Sequence, residues 1–460
     1  MSRIAKWTSA GALALIGGFS LTKILASQGS RRALHTLMTD PYGENLAEFY
    51  SAARRTGLQD IIETNLRAEQ GRVILRPLGS PRPFVDFDGL MFTTAHLARM
   101  STPLTDPIDT AVTIGKHAAH PLHVQTPLLI SGMAYGLGVS EKFKYALAYG
   151  STLAHTATNT GEGPFLPKER KLADKLIIQY PRAPWNRDSR ILKQADAVEI
   201  QIGQGASAST AHVTPSDRIS YEVRKRLGLG PHENAVIQAH MPELDTLDGL
   251  PRLVDDLRNL TDGVPIGVKF SFTHRLEDDM DLCLEANVDY LALEGAQAAT
   301  IGAPPILEDD FGLPTLIGLC RAVDHLRRRH VEDQVSLIVG GGFTSPGQCL
   351  KALALGADAV YLGTMALFAA SHTQVLKALP WEPPTQLAIH QGKVSSKFNW
   401  KKGAQSLAKY LQSANDEIKE GIRALGKHSL KDVSEEDLVA LDKTTEEITG
   451  RPLAYSNRNV

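Results

Sequence analysis

Short β-branched runs alternate with helix-like stretches between residues 128 and 363, and this alternation constrains the fold more than any other feature. Eight runs are predicted to be strands: 128–131, 153–158, 197–203, 234–239, 266–272, 290–295, 336–341 and 359–363. Helical spacing between them is found at 140–149, 217–227, 246–260, 277–287, 314–329 and 346–355. Eight strands that alternate with helices predict a (β/α)8 TIM barrel, an α/β fold.

The alternative fold is an open, doubly wound parallel sheet, but no GxGxxG motif follows the first predicted strand. A further strand-like run, KLIIQY at 175–180, is interpreted as an insertion between the second and third barrel strands. Helical spacing at 33–75 and a charged helical stretch at 404–448 predict N-terminal and C-terminal helical appendages. The predicted regions are therefore helices and loops at 33–124, the barrel at 125–372 and a helical region at 373–460.

The first 32 residues are treated as a separate segment, with a basic start and an apolar run at 8–26. Ser20, Thr22 and Lys23 interrupt this run, whereas a membrane span needs about 20 apolar residues, although Lys23 can snorkel from a helix end. No convincing A-x-A site follows, which argues against a cleaved signal peptide. The two main interpretations are a single anchor that keeps the barrel on the cytoplasmic side of a membrane, and an amphipathic or packed helix.

Composition excludes several classes of function. The chain is 43% hydrophobic and 22% charged, as is typical of a folded globular protein. Lys plus Arg (49) nearly balances Asp plus Glu (51), so nucleic acid is not an expected partner. Cys283, Cys320 and Cys349 are too few for a four-cysteine iron–sulfur cluster, and the 15 histidines show no HExxH spacing. No iron–sulfur cluster and no metal site are expected.

Strand alternation predicts polar side chains inside the barrel. In IGVKFSF the apolar residues share one face of the strand, and Lys269 lies on the other. The same alternation places Glu199 and Gln201 opposite the apolar face of AVEIQIG, and Glu294 opposite that of YLALEG. Because barrel interiors are normally apolar, these residues predict a ligand site at the carboxyl ends of the strands. The alternative is an internal Lys–Glu ion pair without a ligand.

Glycines at the ends of the last two predicted strands indicate a phosphate site. Gly340, Gly341 and Gly342 end the seventh strand, and Gly363 and Thr364 follow the eighth. Glycines let backbone N–H groups approach an anion, and phosphate sites in these barrels commonly follow strands seven and eight. For the triple glycine the alternative is a tight turn, and for Thr364 it is a helix N-cap.

Loops after the first three predicted strands complete the site. SGMAYG (131–136) offers small residues and backbone amides to a flat ring. NTGEGP (159–164) places Glu162 between glycines at a strand end, with turn capping as the alternative role. QGA (204–206) lies in the same layer. These loops also fit an alternative, a phosphate-binding barrel that carries out aldol or isomerase chemistry.

In their order along the chain, these motifs resemble the FMN-binding domain of glutamate synthase and its stand-alone relatives, the FMN-binding glutamate synthase family. The set is SGMAYG, NTGEGP, EIQIGQGA, GVK, GLPT before a helix, VGGGF and LGTMALF, and FVDFDGLMF upstream is similar to that domain's entry region. The resemblance spans residues 82–372 and implies that FMN is the cofactor.

The resemblance also implies roles for individual residues. The phosphate of FMN would lie on the glycines after strands seven and eight and on Thr364, and Lys269 near N1 and O2 of the ring would stabilise the anionic reduced flavin. The implied contacts of the flat ring are Ser131, Gly132, Met133 and Ala134. Glu162 and Lys269 are the implied catalytic residues, and the implied substrate contacts are Glu162, Arg182 and Gln204.

The reaction that the resemblance implies is electron transfer from reduced FMN to 2-iminoglutarate, formed from 2-oxoglutarate and ammonia, to give L-glutamate. Two departures weaken a direct transfer of this activity: Ser207 replaces a family lysine, and Glu294 replaces an aspartate. The expected partners are a 2-oxo acid and an electron donor supplied from elsewhere. The alternatives are an FMN oxidoreductase acting on another amino, imino or hydroxy acid, and a non-catalytic, membrane-tethered flavoprotein subunit.

Overall fold

The computed structural model describes residues 25–39, 41, 47–246, 248–298 and 301–456, and the chain divides into two compact units, Met1–Ile74 and Leu75–Val460. In the first unit, residues 25–39 (α1), Ala47–Thr56 (α2) and Leu58–Gln70 (α3) are helical. Gly71 ends α3 in the left-handed conformation, φ 59°, and its N–H bonds to the carbonyl of Arg67.

The predicted membrane segment at 8–26 lies outside the described residues except for its last two positions. No helix in the described part of the chain has the combined length and apolar character needed to cross a membrane.

The second unit contains short strands and helices in alternation. The strands are, in chain order, β1 Leu90–Phe92, β2 Val112–Ile114, β3 Leu122–Val124, β4 Leu128–Ile130, β5 Ala157–Asn159, β6 Lys175–Tyr180, β7 Ala197–Gln201, β8 His212–Thr214, β9 Ala235–Ile237, β10 Ile266–Ser271, β11 Tyr290–Glu294, β12 Ser336–Gly340, β13 Ala359–Leu362 and β14 Leu438–Ala440. The helices are α4 Glu141–Leu153, α5 Pro167–Leu172, α6 Ser189–Leu192, α7 Tyr221–Leu227, α8 Gly249–Leu260, α9 Leu276–Glu285, α10 Pro305–Asp310, α11 Thr315–Arg329, α12 Pro346–Ala354, α13 Thr364–Ser371, α14 Pro383–Ala388, α15 Trp400–Ala424 and α16 Lys443–Thr449.

Eight parallel strands, β4–β7 and β10–β13, form the central barrel. From β5 to β13 each pairs with the next barrel strand in the chain, and β13 pairs back with β4. Two hydrogen bonds connect the segments at the amino ends of β4 and β5: the Thr156 hydroxyl donates to the Leu128 carbonyl at 2.7 Å, and the Gln125 N–H donates to the His155 carbonyl at 3.0 Å. The predicted (β/α)8 barrel is confirmed.

The assignment of two strands was wrong. KLIIQY (175–180), predicted to be an insertion, is the third barrel strand, β6, and is almost entirely buried. The run at 234–239, predicted to be a barrel strand, contributes β9, which pairs only with β8 in an antiparallel hairpin outside the barrel. Continuous apolar runs are typical of strands buried on both faces, whereas β9 is buried only on alternate residues.

The barrel interior is apolar at one end and polar at the other. Apolar residues that face inward, including Leu129, Ile177, Tyr290 and Ile338, cluster with the β2–β3 hairpin, which closes the amino ends of the strands. Outward-facing side chains of the same strands pack against the surrounding helices in the larger core. The polar layer therefore lies at the carboxyl ends.

The segment after the barrel packs against its outside. The buried stripe of α15, formed by Leu407, Leu411, Ile418 and Ile422, joins the main core, and α15 packs against α4 and α13. The strand β14 pairs antiparallel with β1, so Leu90 lies opposite Ala440.

Candidate active site at the carboxyl ends of the barrel strands

Lys269 forms a buried ion pair inside the barrel mouth. Its Nζ lies 2.7 Å from Oε1 of Glu294 on the neighbouring strand, and its side chain is 1% exposed. The Ser131 hydroxyl, which follows β4 across the mouth, donates to the same oxygen at 3.3 Å. Lys269 also lies 5.5 Å from the centre of the Tyr361 ring. Glu294 thus connects Lys269 and Ser131, the two residues here for which flavin contacts were predicted.

The charge of Lys269 is maintained by its surroundings. Burial alone would lower the pKa of Lys269, but the carboxylates of Glu294, Glu199 and Glu162 together raise it above its ordinary value. These acids therefore favour the protonated, positively charged form of Lys269 at the barrel mouth.

Glu199 is a functional candidate that was not predicted as a site residue. It is fully buried and accepts hydrogen bonds from Asn159 Nδ2 (2.8 Å), Gln179 Nε2 (2.8 Å) and the Tyr361 hydroxyl (2.7 Å). These donors come from three other barrel strands, so Glu199 connects four strands through one buried network. We call this network of Glu199, Asn159, Gln179 and Tyr361 the floor of the site. Strand alternation already placed Glu199 inside, but its partners are distant in the sequence.

Several buried polar atoms around this floor make no hydrogen bond with the described residues. They are both amide atoms of Gln201, Oε1 of Gln179, Oε2 of Glu162, Nε of Arg182 and Oγ of Ser207. A buried polar group without a partner costs about 1–3 kcal/mol, so a group of such atoms indicates a polar ligand.

Glycines shape the opposite side of the mouth. Gly341 (φ 119°) and Gly342 (φ 76°) follow β12 in conformations that other residues rarely adopt, and a Cβ on Gly341 would lie 2.7 Å from Thr315 Oγ1. Gly363 is the N-cap of α13, whose first residue is Thr364, and no side chain caps this helix end. A Cβ on Gly363 would meet nothing within 4 Å. The free N–H groups and open space fit a phosphate.

The loops after β4 and β5 pack backbone against backbone. A Cβ on Gly161 (φ 67°) would lie 2.5 Å from the Met133 carbonyl carbon and 2.6 Å from the Ala134 nitrogen. A Cβ on Gly132 would lie 2.8 Å from Gln179 Nε2. The predicted ring-contact segment is therefore held in one conformation. The alternative of an ion pair without a ligand explains Lys269 and Glu294, but not the unpartnered polar atoms or the uncapped helix.

The Glu162 carboxylate is buried beside the β8–β9 hairpin. Its Oε1 lies 3.5 Å from Nε2 of His212, which is 42% exposed at the side chain. The Glu162 carbonyl accepts a 2.6 Å bond from the Trp185 indole. No motif in the sequence marked His212, because its approach to Glu162 depends on the hairpin.

Arg182 follows β6, the third barrel strand, and so lies in the barrel mouth. Its NH1 donates to the carbonyls of Ser209 and Ala239 (3.2 Å for Ala239), which flank the hairpin on both sides. Burial lowers the pKa of Arg182, and Glu162 opposes this effect. Gln204, in the loop after β7, forms two backbone hydrogen bonds with Ala208. Arg182 thus anchors the hairpin, and its buried Nε has no hydrogen-bond partner among the described residues.

A second buried ion pair supports the loop that carries Glu162. Lys144 on α4 lies 2.8 Å from Glu169 on α5, and both side chains are almost fully buried. The Lys144 ammonium also donates to the carbonyls of Asn159 (2.8 Å) and Thr160 (3.1 Å). The sequence did not reveal this pair.

The fold resembles those of solved structures of a mandelate dehydrogenase and of flavocytochrome b2. A glycine-to-alanine mutant of the active chimera of (S)-mandelate dehydrogenase matches with a TM-score of 0.51 and 15% identity, over 77% of this chain and 88% of that one. An arginine-to-lysine mutant of flavocytochrome b2 matches with a TM-score of 0.50 and 18% identity, over 81% and 80%. At this identity the likeness shows the barrel fold alone.

Sequence comparison defines the family. Residues 93–428 match the family model described as the conserved region in glutamate synthase. The chain is 30% identical over 433 residues to a glutamate synthase large subunit-like protein of Rhizobium meliloti (strain 1021), covering 88% of this chain and 96% of that protein. It is 27% identical over 392 residues to an archaeal-type glutamate synthase (NADPH) of Thermotoga maritima, covering 79% and 76%.

The chain therefore belongs to the glutamate synthase family. This membership confirms the predicted resemblance and the predicted enzyme class, an oxidoreductase of the glutamate synthase type. The roles of individual site residues stay predictions.

Proposed function

We propose that this barrel binds FMN at its carboxyl face and reduces the imine of a 2-oxo acid, in the first place 2-iminoglutarate, to the amino acid. The observation that carries the proposal is the buried Lys269 cation opposite an uncapped helix and a glycine loop, in a chain of the glutamate synthase family. When bound, FMN supplies a hydride donor at its N5.

The residues present fit the two ends of this cofactor. The proposed phosphate contacts are the backbone and side-chain groups of Gly340, Gly341, Gly342, Gly363 and Thr364. The proposed ring contacts are Ser131, Gly132, Met133, Ala134 and Lys269. A cation at the electron-rich end of the ring stabilises the negative charge that reduction places there.

Proton transfer is assigned to Glu162. Reduction of an imine consumes one hydride and one proton, so the site needs an acid near the substrate nitrogen. Glu162 is buried with one unpartnered oxygen, and His212 connects it to the exposed side of the hairpin.

Substrate recognition is assigned to polar groups in the loops that follow β6 and β7. The unpartnered Arg182 Nε is the proposed contact of a substrate carboxylate, and Gln204 lies in the loop beyond it. Ser207, which has a buried hydroxyl without a partner, stands where the resemblance implies a lysine. This change favours a second candidate, an FMN oxidoreductase acting on another imino, amino or hydroxy acid.

The electron donor and the nitrogen source are proposed to come from outside the chain. Because the archaeal-type relatives are named for NADPH, an NADPH-dependent reductant is the first donor to test, with free ammonium as the nitrogen source.

The decisive experiment is anaerobic. The purified protein should be yellow, and denaturation should release FMN that mass spectrometry identifies. After photochemical reduction, 2-oxoglutarate with ¹⁵N-ammonium should reoxidise the flavin and yield ¹⁵N-glutamate in equal amount. A colourless protein that ignores added FMN refutes the cofactor. Reoxidation by other imino or keto acids, but never by 2-oxoglutarate with ammonium, keeps the flavin and refutes glutamate formation.

A cytoplasmic location with membrane attachment through residues 8–26 is proposed separately. Fractionation of the full chain and of a form starting at Ser30 tests it. The full chain should need detergent and the shortened form should not; equal behaviour refutes the attachment.

A further inference from the structure

We propose that Glu294 is a positioning residue that limits how much of the positive charge of Lys269 acts on the bound flavin. This inference rests on the proposed function, because it concerns the same FMN site. It assigns a role to the acid that replaces the family aspartate, a change that the proposed reaction leaves unexplained.

The contact geometry carries the argument. Lys269 on β10 and Glu294 on β11 are diagonal neighbours, since Lys269 lies opposite Ala292 and Glu294 lies opposite Ser271. Among the described residues, Glu294 is the one carboxylate in contact with the Lys269 ammonium, at 2.7 Å. The ammonium is therefore held at the wall of the barrel, toward β11.

Glu294 also reaches across the mouth. The oxygen that contacts Lys269 accepts the Ser131 hydroxyl at 3.3 Å, and Ser131 lies on the loop proposed to face the flavin ring. One carboxylate thus orients a charged and a neutral contact of the same ring.

The neighbouring backbone accommodates the acid at this length. Gly340 lies opposite Glu294 in the sheet, and a Cβ on Gly340 would lie 3.0 Å from Cγ and 3.2 Å from Oε1 of Glu294. A side chain at position 340 would push the glutamate from its position.

Charge balance gives the direction of the effect. The other two buried acids that act on Lys269 do not contact it: Glu199 accepts bonds from neutral donors, and Glu162 faces His212. Neutralising Glu294 removes the negative charge closest to the ammonium and frees one of its N–H groups. Negative charge on the flavin should then be better stabilised.

Sulfite titration of the FMN-loaded protein measures this directly. Sulfite adds to oxidised flavin at N5 by forming an N–S bond with no leaving group, and the added electron pair leaves negative charge on the ring. Glu294→Gln should tighten the sulfite dissociation constant at least tenfold, which corresponds to about 30 mV in a two-electron potential. Glu294→Asp, which keeps the charge but retracts it by one methylene, should shift the constant in the same direction by a smaller factor.

Two controls separate this role from a general effect. Asp281→Asn removes a negative charge that pairs with His325 and Arg329 on the outer helices, and should leave the sulfite constant within twofold of wild type. In a Lys269→Met background, the factor by which Glu294→Gln lowers the sulfite dissociation constant should be at least threefold smaller, because the ammonium through which Glu294 acts is absent.

The failures of the two proposals are distinguishable. A wild-type protein that does not bind FMN refutes the proposed function, and this inference with it. If wild type binds FMN but every folded variant at position 294 has a sulfite constant within twofold of wild type, the inference is wrong and the proposed function stands. An equal gain in the Lys269→Met background also overturns it, because Glu294 would then act on the ring without Lys269.

Discussion

Replacing Lys144 by methionine should strongly destabilise the second unit. Methionine has a similar length but no charge, so Glu169 would be left as a buried, unpaired carboxylate, and the Asn159 and Thr160 carbonyls would each lose a donor. Breaking a buried pair from one side costs about 3–5 kcal/mol. For a unit of this size the unfolding entropy is about 0.8 kcal/mol/K, so the melting temperature should fall by about 4–6 °C.

The loss of stability in Lys144→Met should increase as the pH rises. Burial raises the pKa of Glu169, and Lys144 is the main influence that lowers it. Without Lys144 the folded-state pKa of Glu169 rises further above its unfolded-state value. Between these two pKa values, the folded form therefore binds more protons than the unfolded form. Stability is then lost as pH rises, by about 1.4 kcal/mol per pH unit between the two pKa values.

Thermal unfolding at pH 5.5 and pH 7.5, followed by circular dichroism, measures both effects. Lys142→Met on the same helix is the matched control, because Lys142 is exposed, and it should cost less than about 1 kcal/mol. The double variant Lys144→Met with Glu169→Leu should recover most of the loss, because it removes the unpaired charge. A Lys144→Met variant as stable as the control at both pH values would refute the reasoning.

Three further predictions concern the site. Lys269→Met should weaken sulfite binding to the FMN form at least tenfold, since no cation would offset the ring's negative charge; an unchanged titration contradicts this. Arg182→Ala should make limited proteolysis within the 212–237 hairpin several-fold faster, and digestion at the wild-type rate would count against the anchor. Gly341→Ala places a side chain on a residue with a φ of 119°, which side chains disfavour, and should lower FMN affinity at least tenfold. The control Gly347→Ala, whose added Cβ would have only one atom within 4 Å, should leave FMN affinity unchanged. Equal FMN affinities of the two variants would exclude Gly341 from the site.

The alternation of apolar and polar residues along single strands was sufficient to place much of the site. It put Lys269, Glu199 and Glu294 inside the barrel, because successive side chains on a strand point to opposite faces whatever the strand pairs with. The glycine turn after β12 could also be predicted from the sequence, because the positive φ values of Gly341 and Gly342 require glycine at these positions.

The sequence did not predict which of the short apolar runs become barrel strands. KLIIQY and the run around β9 are both short and apolar, so they look alike in the sequence. Only the pairing in the folded chain, of β6 with β5 and β7 and of β9 with β8, decides which one enters the barrel. That choice moved Arg182 from a supposed insertion to the mouth of the barrel, where its guanidinium meets the hairpin.

The sequence by itself determined the fold class, the family and the inward set of polar residues, because these depend on local periodicity and on motifs in order. Tertiary structure alone decided the partners: Lys269 with Glu294, Lys144 with Glu169, and Glu162 beside His212. Each of these contacts joins different elements, and its geometry is set by packing around the barrel. Charge pairing acts through distance in space, which the order of residues along the chain does not specify.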